Sequence, residues 1–330
     1  MKEIKIYFTD FWSSFVVEES FIYQYLSLYY KVIITPTPDY LFYSCGGFRH
    51  LKYNNCIKIF YTGENIVPDF NLCDYGIGFQ HLQFEDRFIR FPLFLTHKNG
   101  WEELKKLESK ENISPHLANR KFCNFVYSNG KESDPLRELF FHELSRYKKV
   151  DSGGRYLNNI GKAVIDKLDF IKEYKFTIAM ENSSLSGYTT EKIIDPMKVN
   201  SIPVYYGDPN IAVDFNLNAI IHVKDKHSIK QAIEEVIYLD NDDNAYTTKL
   251  AQPWFSREHI KDYYDRKLHS FFDRIFEQPL ESAYRTTNYA WAGHYKQTLS
   301  HVCFLTKNYF FNKTWGAIDR LKKIHEKTKS

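Results

Sequence analysis

Apolar runs alternate with amphipathic segments along the first hundred residues of this chain. Six short runs have the length and composition of buried strands, at residues 4–8, 31–35, 40–43, 57–61, 75–79 and 88–95. Residues 13–30 have helical spacing, with a predicted core-facing stripe of Phe15, Phe21, Tyr25 and Leu28. This alternation is typical of a mostly parallel sheet with helices on its faces, so the pattern predicts an α/β fold.

The alternation restarts after a charged and polar stretch at residues 98–119, which we interpret as a connection near a domain boundary. Residues 122–128 predict a strand, and residues 136–147 predict a helix that Asp134 and Pro135 would begin as N-cap and first residue. The apolar face of this helix is predicted to comprise Leu136, Leu139, Phe140 and Leu144. A chain of 330 residues is too long for one typical core, so we expect two domains.

Residues 176–207 contain an apolar strand, a polar loop, a short helix and a second apolar strand. Ligands of open α/β sheets bind beyond the carboxyl ends of the strands, where this loop is expected to lie. The loop concentrates polar groups, namely Glu181, Asn182, Tyr188, Thr189, Thr190, Glu191 and Lys192. This density of polar groups favours a nucleotide-sugar site over a purely structural loop.

Pro196 lies inside the helix that follows the loop, so this helix should kink or end early. We expect a strand at 219–223, a helix at 228–239 and aromatic-rich helices beyond 250.

Two cations lie in the first turns of predicted helices. Arg137 follows the Asp134 cap, and Lys192 follows two threonines that can cap the next helix. A cation at this end opposes the helix dipole by about 0.3–1 kcal/mol, so its occurrence twice suggests that an anion binds there. The alternative is ordinary ion pairing, of Arg137 with Glu132 or Glu138, and of Lys192 with Asp195.

Other polar residues of the loop have chemistry that suits a sugar or a nucleotide. The carboxylate of Glu191 can accept hydrogen bonds from sugar or ribose hydroxyls. Asn182 offers an amide and Tyr188 a flat ring for stacking. Glu181 is open to a second interpretation, as a buried partner that shapes the loop.

The segment FYTGEN at residues 60–65 carries a candidate general base. A buried strand leads into Thr62 and Gly63, and Glu64 follows at its carboxyl end. A carboxylate at this edge would face a ligand cleft, where it could take a proton. The alternative is a solvated glutamate in a turn.

Composition narrows the class of protein without fixing it. A net charge of +3 does not indicate nucleic acid as a partner. Five cysteines at wide spacing show no zinc-ligand pattern and fit a reducing, cytoplasmic compartment. No run approaches the roughly 18 apolar residues of a membrane span.

The tail from residue 308 to residue 330 is basic and amphipathic. This pattern favours one of two structures: a closing helix with a solvated face, or a segment in peripheral contact with the inner face of the cytoplasmic membrane.

Together, these segments resemble the family 10 glycosyltransferases, the α-1,3/1,4-fucosyltransferases of bacteria and animals. The resemblance covers roughly residues 56–217 and is carried by YTGENIVPDFNLCDYGIGF, FVYSN, VDSGGR, MENSSLSGYTTEKII and IPVYYG, together with the helix that carries Arg137. It implies a GT-B architecture, with two Rossmann-like domains facing across a cleft. Residues 1–120 would bind the acceptor, residues 121–300 would bind GDP-fucose, and residues 301–330 would form a basic amphipathic C-terminal helix.

The resemblance also implies roles for individual residues. Glu64 would be the catalytic base, Arg137 and Lys192 would hold the diphosphate, and Glu191 would meet the fucose or ribose hydroxyls. The remaining donor-site residues would be Asn182 and Tyr188 at the nucleotide, with Val126, Ser128 and Asn129 lining the pocket.

The implied reaction is an inverting α-1,3 transfer of fucose to GlcNAc of a Galβ1-4GlcNAc-type acceptor, with no divalent metal or other cofactor required. Three sequence features depart from the family pattern: Met180 replaces the usual phenylalanine, Pro196 lies inside the helix after TEK, and the tandem heptad repeats of some relatives are missing after residue 300. Two alternatives remain, a GT-B transferase for another nucleotide sugar and a non-catalytic carbohydrate- or nucleotide-sugar-binding module.

Overall fold

A computed structural model describes residues 1–96, 100–108, 110, 114–130 and 133–307 of the chain. The predicted C-terminal amphipathic segment, 308–330, lies outside these residues. The strands are β1 Glu3–Thr9, β2 Lys31–Ile34, β3 Tyr40–Tyr43, β4 Ile57–Tyr61, β5 Tyr75–Gly78, β6 Phe88–Arg90, β7 Lys121–Phe125, β8 Val150–Ser152, β9 Tyr174–Met180, β10 Ile202–Tyr206 and β11 Ile221–His222. The α-helices are α1 Phe21–Tyr29, α2 Gly100–Glu108, α3 Pro135–Ser145, α4 Lys167–Ile171, α5 Glu191–Lys198, α6 Ile229–Asn241, α7 Asp243–Leu250, α8 Ile260–Phe276, α9 Leu280–Ala283 and α10 Trp291–Lys307.

The strands form two sheets. The first has the order β2-β1-β3-β4-β5-β6 and the second the order β11-β10-β9-β7-β8. In both sheets, the pairs of neighbouring strands for which a residue register is defined run parallel. Every residue of β3, β9 and β10 is buried, which explains why these strands are continuous apolar runs. The α/β prediction is confirmed.

The chain divides into two compact units that differ from the predicted domain boundaries. The first unit comprises residues 1–77, 84–88 and 273 onward, and the second comprises residues 78–83 and 89–272. The last part of α8 and the helices after it therefore belong with the first sheet. Within the first unit, the hydroxyl of Tyr30 donates to Asp273 at 2.7 Å, and Arg285 pairs with Asp86 at 2.6 Å.

Helix α1 is shorter than predicted, and its buried face differs. The hydroxyl of Ser20 accepts a hydrogen bond from the backbone N–H of Tyr23, so the cap begins the helix at Phe21. The buried residues are Ile22, Tyr25 and Leu26, at helical spacing from one another. Leu28 is 67% exposed, so its predicted place in the core was wrong.

Local breakers set several other boundaries. The strand predicted at 88–95 ends at Arg90, because Pro92 intervenes and Leu93–Leu95 form a 3-10 turn. Helix α5 contains Pro196 and ends at Lys198, which confirms that it ends early. In α3, Leu136, Phe140 and Leu144 are buried as predicted, together with Phe141 and Arg137, whereas Leu139 is only half-buried. No helix among the described residues is long and apolar enough to cross a membrane.

Candidate functional site

A cavity of about 260 Å³ lies in the second unit, where β7 and β9 lead into the turns before α3 and α5. Parallel neighbouring strands place their carboxyl ends, and the helix starts that follow, at one edge of the sheet. The cavity is lined by Val126, Tyr127, Ser128, Asn129, Arg137, Lys167, Thr177, Ile178, Asn182, Glu191 and Lys192. Seven of the eight predicted donor-site residues are therefore brought together, and Tyr188 is the exception.

Arg137 forms a buried wall of this cavity. Its side chain extends from the first turn of α3, where Asp134 accepts the backbone N–H of Leu136 and caps the helix. One guanidinium nitrogen donates to Asn182 Oδ1 at 3.0 Å, and another donates to the backbone oxygen of Asn129 at 2.6 Å. The guanidinium carbon lies 4.1 Å from the ring centroid of Tyr127, a cation–π contact.

The partners of Arg137 are neutral. The residue is 1% exposed, and within the described residues no carboxylate pairs with it and its Nε has no hydrogen-bond partner. Burial lowers the pKa of the guanidinium. The alternative pairing with Glu138 is not formed, because Glu138 accepts a hydrogen bond from Tyr156 at 2.5 Å. Glu132 lies outside the described residues.

Lys192 is held by a different carboxylate from the one predicted as its alternative partner. Its Nζ lies 2.9 Å from Glu181 Oε2 and 3.0 Å from Thr190 Oγ1. Glu181 is 0% exposed and also accepts the backbone N–H of Thr190 at 2.7 Å. The pairing of Lys192 with Asp195 was wrong, since Asp195 contacts Lys167 instead. Glu181 is therefore a buried partner that shapes the loop, which was the second interpretation of this residue.

The charges of this pair follow from burial and from each other. Burial opposes the charge on Lys192, but the carboxylates of Glu181 and Glu191 outweigh it and raise the pKa of the ammonium. Lys192 is therefore charged at neutral pH. Burial raises the pKa of the Glu181 carboxyl, and the ammonium of Lys192 and the hydrogen bonds from Thr190 oppose that shift. The site thus keeps a fixed cation beside the cavity.

Tyr188 does not line the cavity. Its half-buried ring contacts Phe79 edge-on, with 5.3 Å between ring centroids, and its backbone oxygen accepts from the hydroxyl of Tyr205. The preceding Gly187 has a φ of +86°, and a Cβ there would lie 2.1 Å from the backbone oxygen of Phe79. Only glycine fits this close approach, which holds the Tyr188 ring beside Phe79.

Four lining residues were absent from the prediction: Tyr127, Lys167, Thr177 and Ile178. The buried hydroxyl of Tyr127 donates to the backbone oxygen of Ile178 at 2.9 Å and accepts the N–H of Met180 at 2.6 Å. Tyr127 lies inside the FVYSN motif between two predicted residues, so the motif itself could have indicated it. Lys167 lies in no motif, and no sequence signal marks it.

Glu64 lies in the first unit, three residues beyond the end of β4. Its side chain is exposed, and its backbone N–H donates to Thr62 Oγ1 at 3.1 Å. The backbone oxygen of Glu64 accepts the N–H of Ile66 at 2.7 Å, which completes a tight turn. The carboxylate is thus at the predicted carboxyl edge of the sheet, and its role as base stays a prediction.

A buried Asp–His pair supports the same edge of this sheet. Asp10 follows β1 with a φ of +60°, and its carboxylate accepts the backbone N–H groups of Arg49 and His50. His50 Nδ1 lies 2.8 Å from Asp10 Oδ2. Burial alone would raise the pKa of Asp10, but the hydrogen bonds from His50 and Arg49 lower it overall. The pair anchors the segment between β3 and β4.

Among the described residues, no group of three histidine, cysteine, aspartate or glutamate side chains is placed to hold a metal ion.

Two family models match the chain. The N-terminal domain of alpha-(1,3)-fucosyltransferase FucT matches residues 6–97, and the C-terminal part of glycosyltransferase family 10 (fucosyltransferase) matches residues 117–278. The chain is 33% identical over 317 residues to the alpha-(1,3)-fucosyltransferase FucT of Helicobacter pylori, a match that covers 83% of this chain. The chain spans 66% of the length of that relative and less than half the length of several others.

Solved structures agree with these matches. The chain superposes on a crystal structure of alpha1,3-fucosyltransferase with a TM-score of 0.72 and 30% identity, covering 84% of this chain and 91% of the other. A crystal structure of alpha1,3-fucosyltransferase with GDP-fucose gives a TM-score of 0.70 and 29% identity, covering 84% and 92% of the two chains.

Proposed function

The chain belongs to glycosyltransferase family 10, the fucosyltransferases, and from that membership we propose that it is an inverting α-1,3-fucosyltransferase. Its donor is GDP-β-L-fucose, and its acceptor is the GlcNAc of a Galβ1-4GlcNAc-type oligosaccharide, which gives a Lewis-X type product. The observation that carries the proposal is Arg137, a buried guanidinium that lines the cavity with neutral partners among the described residues.

The donor assignment is supported by the charge of the cavity. A buried cation without a carboxylate partner is costly unless an anion completes its surroundings. The cavity also adjoins the first turns of α3 and α5, where the positive end of each helix dipole favours a phosphate. Arg137 and Lys192 would bind the diphosphate, Glu191 would contact fucose or ribose hydroxyls, and Asn182 would contact the nucleotide. A relative in this family has been solved with GDP-fucose.

The reaction follows from these roles. Glu64 takes the proton of the acceptor hydroxyl as its oxygen attacks the anomeric carbon of fucose. The new glycosidic bond forms as the bond from that carbon to the β-phosphate oxygen breaks, and the electron pair leaves with GDP. Arg137 and Lys192 stabilise the negative charge that develops on the diphosphate. Fixed cations supply the stabilisation that a divalent metal would otherwise provide, so no metal is required in this proposal.

The test is fucosyl transfer by the purified protein. GDP-fucose and N-acetyllactosamine are incubated with it in the presence of EDTA, and the acceptor is examined for the mass of one fucose and for sensitivity to α-1,3-fucosidase. Glu64→Gln should lower turnover by a factor on the order of 10²–10⁴ and leave GDP affinity unchanged. Glu18→Gln, an exposed glutamate of the same unit, should behave as wild type.

The alternatives give different results in the same assay. Bound GDP-fucose without transfer to any acceptor would indicate a binding module. Transfer from another GDP- or UDP-sugar would indicate a different donor, and fucosylation of Galβ1-3GlcNAc would indicate α-1,4 or dual specificity. Turnover by Glu64→Gln close to wild type would remove that residue from the mechanism. Contact of the tail with a membrane stays a separate proposal.

A further inference from the structure

Lys167 contributes a third cation to the donor cavity. It is the first residue of α4, outside every segment that carries the family resemblance, and it lines the same cavity as Arg137 and Lys192. We propose that Lys167 binds the diphosphate of the donor together with these two residues. This inference rests on the proposed function, because it assigns one more residue to the same site.

The geometry of Lys167 repeats that of Lys192. Its Nζ lies 2.7 Å from Asp195 Oδ2, as the Nζ of Lys192 lies 2.9 Å from Glu181. In each pair the carboxylate is the more buried partner. The side chain of Asp195 is 12% exposed and that of Lys167 is 35% exposed. The side chain of Glu181 is 0% exposed and that of Lys192 is 19% exposed. Each carboxylate is therefore more buried than its lysine, and both lysines line the cavity.

Asp195 is itself fixed from the other side. Its second oxygen lies 3.4 Å from Lys198 Nζ, and Lys198 lies 2.5 Å from Glu103 on α2. Because an ammonium has three N–H donors, the contact with Asp195 leaves others for a ligand in the cavity. The network holds Lys167 in place while its remaining donors stay available.

The charge and the size of the cavity point to the diphosphate. Three cations and one carboxylate line it, and each of the two lysines among them is paired with a further carboxylate. A volume of about 260 Å³ is small for a ligand pocket, so the cavity suits one compact group better than a whole nucleotide. A diphosphate, with a negative charge on each phosphate, is the part of a nucleotide sugar that matches this arrangement.

The test measures nucleotide binding by titration calorimetry on the intact protein, without acceptor. Lys167→Met should weaken GDP binding about tenfold, the loss of one charge-assisted hydrogen bond, and should weaken GMP binding less because GMP lacks the β-phosphate. Lys167→Arg should restore most of the affinity. Lys172→Met is the matched control, since Lys172 caps the same helix and pairs with Asp169 at 2.7 Å.

The outcomes separate this inference from the proposed function. GDP affinity of Lys167→Met within twofold of wild type, with fucosyl transfer intact, would overturn the inference alone. Equal losses for GDP, GMP and guanosine would also overturn it, because the lysine would then contact the nucleoside and not a phosphate. A wild-type protein that binds no GDP would overturn both. A GDP-selective loss that arginine rescues, with an unchanged unfolding midpoint, would support it.

Discussion

Arg137 offers the sharpest test of how the site is built, because its removal should separate binding from stability. Arg137→Met keeps an unbranched side chain of similar reach and removes the charge. A charge-assisted hydrogen bond contributes about 1.5–3 kcal/mol, and 1.4 kcal/mol corresponds to tenfold in affinity. GDP affinity should therefore fall by about ten- to a hundredfold.

The stability of the ligand-free protein should change little. The variant loses two hydrogen bonds and the contact with Tyr127, but it also removes a buried charge with no carboxylate partner among the described residues. Asn129 and Asn182 are exposed, so water can replace the lost donor. Removing the charge also removes its desolvation cost, which offsets the lost hydrogen bonds, so the free energy of unfolding should stay within about 1 kcal/mol of wild type.

Two measurements on the same preparations check this. Titration calorimetry gives the GDP affinity, and urea unfolding followed by tryptophan fluorescence gives the free energy of unfolding without ligand. Arg146→Met is the control, an exposed arginine at the end of the same helix that pairs with Glu143. Unchanged GDP affinity would remove Arg137 from the donor site. A stability loss above about 3 kcal/mol would make it a structural residue instead.

Two further predictions concern the buried carboxylates. Glu181→Gln removes the nearer of the two carboxylates beside Lys192, so it should lower the free energy of unfolding by about 3 kcal/mol and also weaken GDP binding; an unchanged urea midpoint would contradict this. Asp10 has a folded-state pKa below its ordinary value of 3.8, so its stabilising effect is present above that pH and is lost as pH falls through the folded pKa. The wild-type protein should therefore lose stability below pH 3.8 more steeply than Asp10→Asn, as measured by urea unfolding across that range, and parallel curves would refute the linkage.

Local sequence determined the elements and much of the candidate site. Strands β3, β4 and β10 coincide with the predicted apolar runs, because short buried parallel strands are continuous in hydrophobicity and flanked by polar residues. The start of α3 could be predicted from the sequence because the N-cap Asp134 and the first helical residue Pro135 act within one helical turn. Seven of the predicted donor-site residues line one cavity, because each of these residues lies at the carboxyl end of a strand or in the helix that follows it.

Only the tertiary structure decided the partners of these residues. Glu181 rather than Asp195 holds Lys192, because the loop after β9 folds back over a buried carboxylate. Leu28 faces solvent because α1 buries the face that contains Ile22, Tyr25 and Leu26, and that choice depends on what the helix packs against. Neither could be read from local pattern, which fixes a residue's own element but not what that element packs against.

The same limit explains Lys167 and the division of the chain. Lys167 is held beside the cavity by a contact with Asp195, which lies 28 residues further along the chain. No sequence motif indicates this pairing. The segment from residue 273 joins the first sheet through contacts such as that of Asp273 with Tyr30, 243 residues away. Sequence spacing governs hydrogen bonds within a turn or a strand, whereas these contacts depend on the three-dimensional path that brings distant segments together.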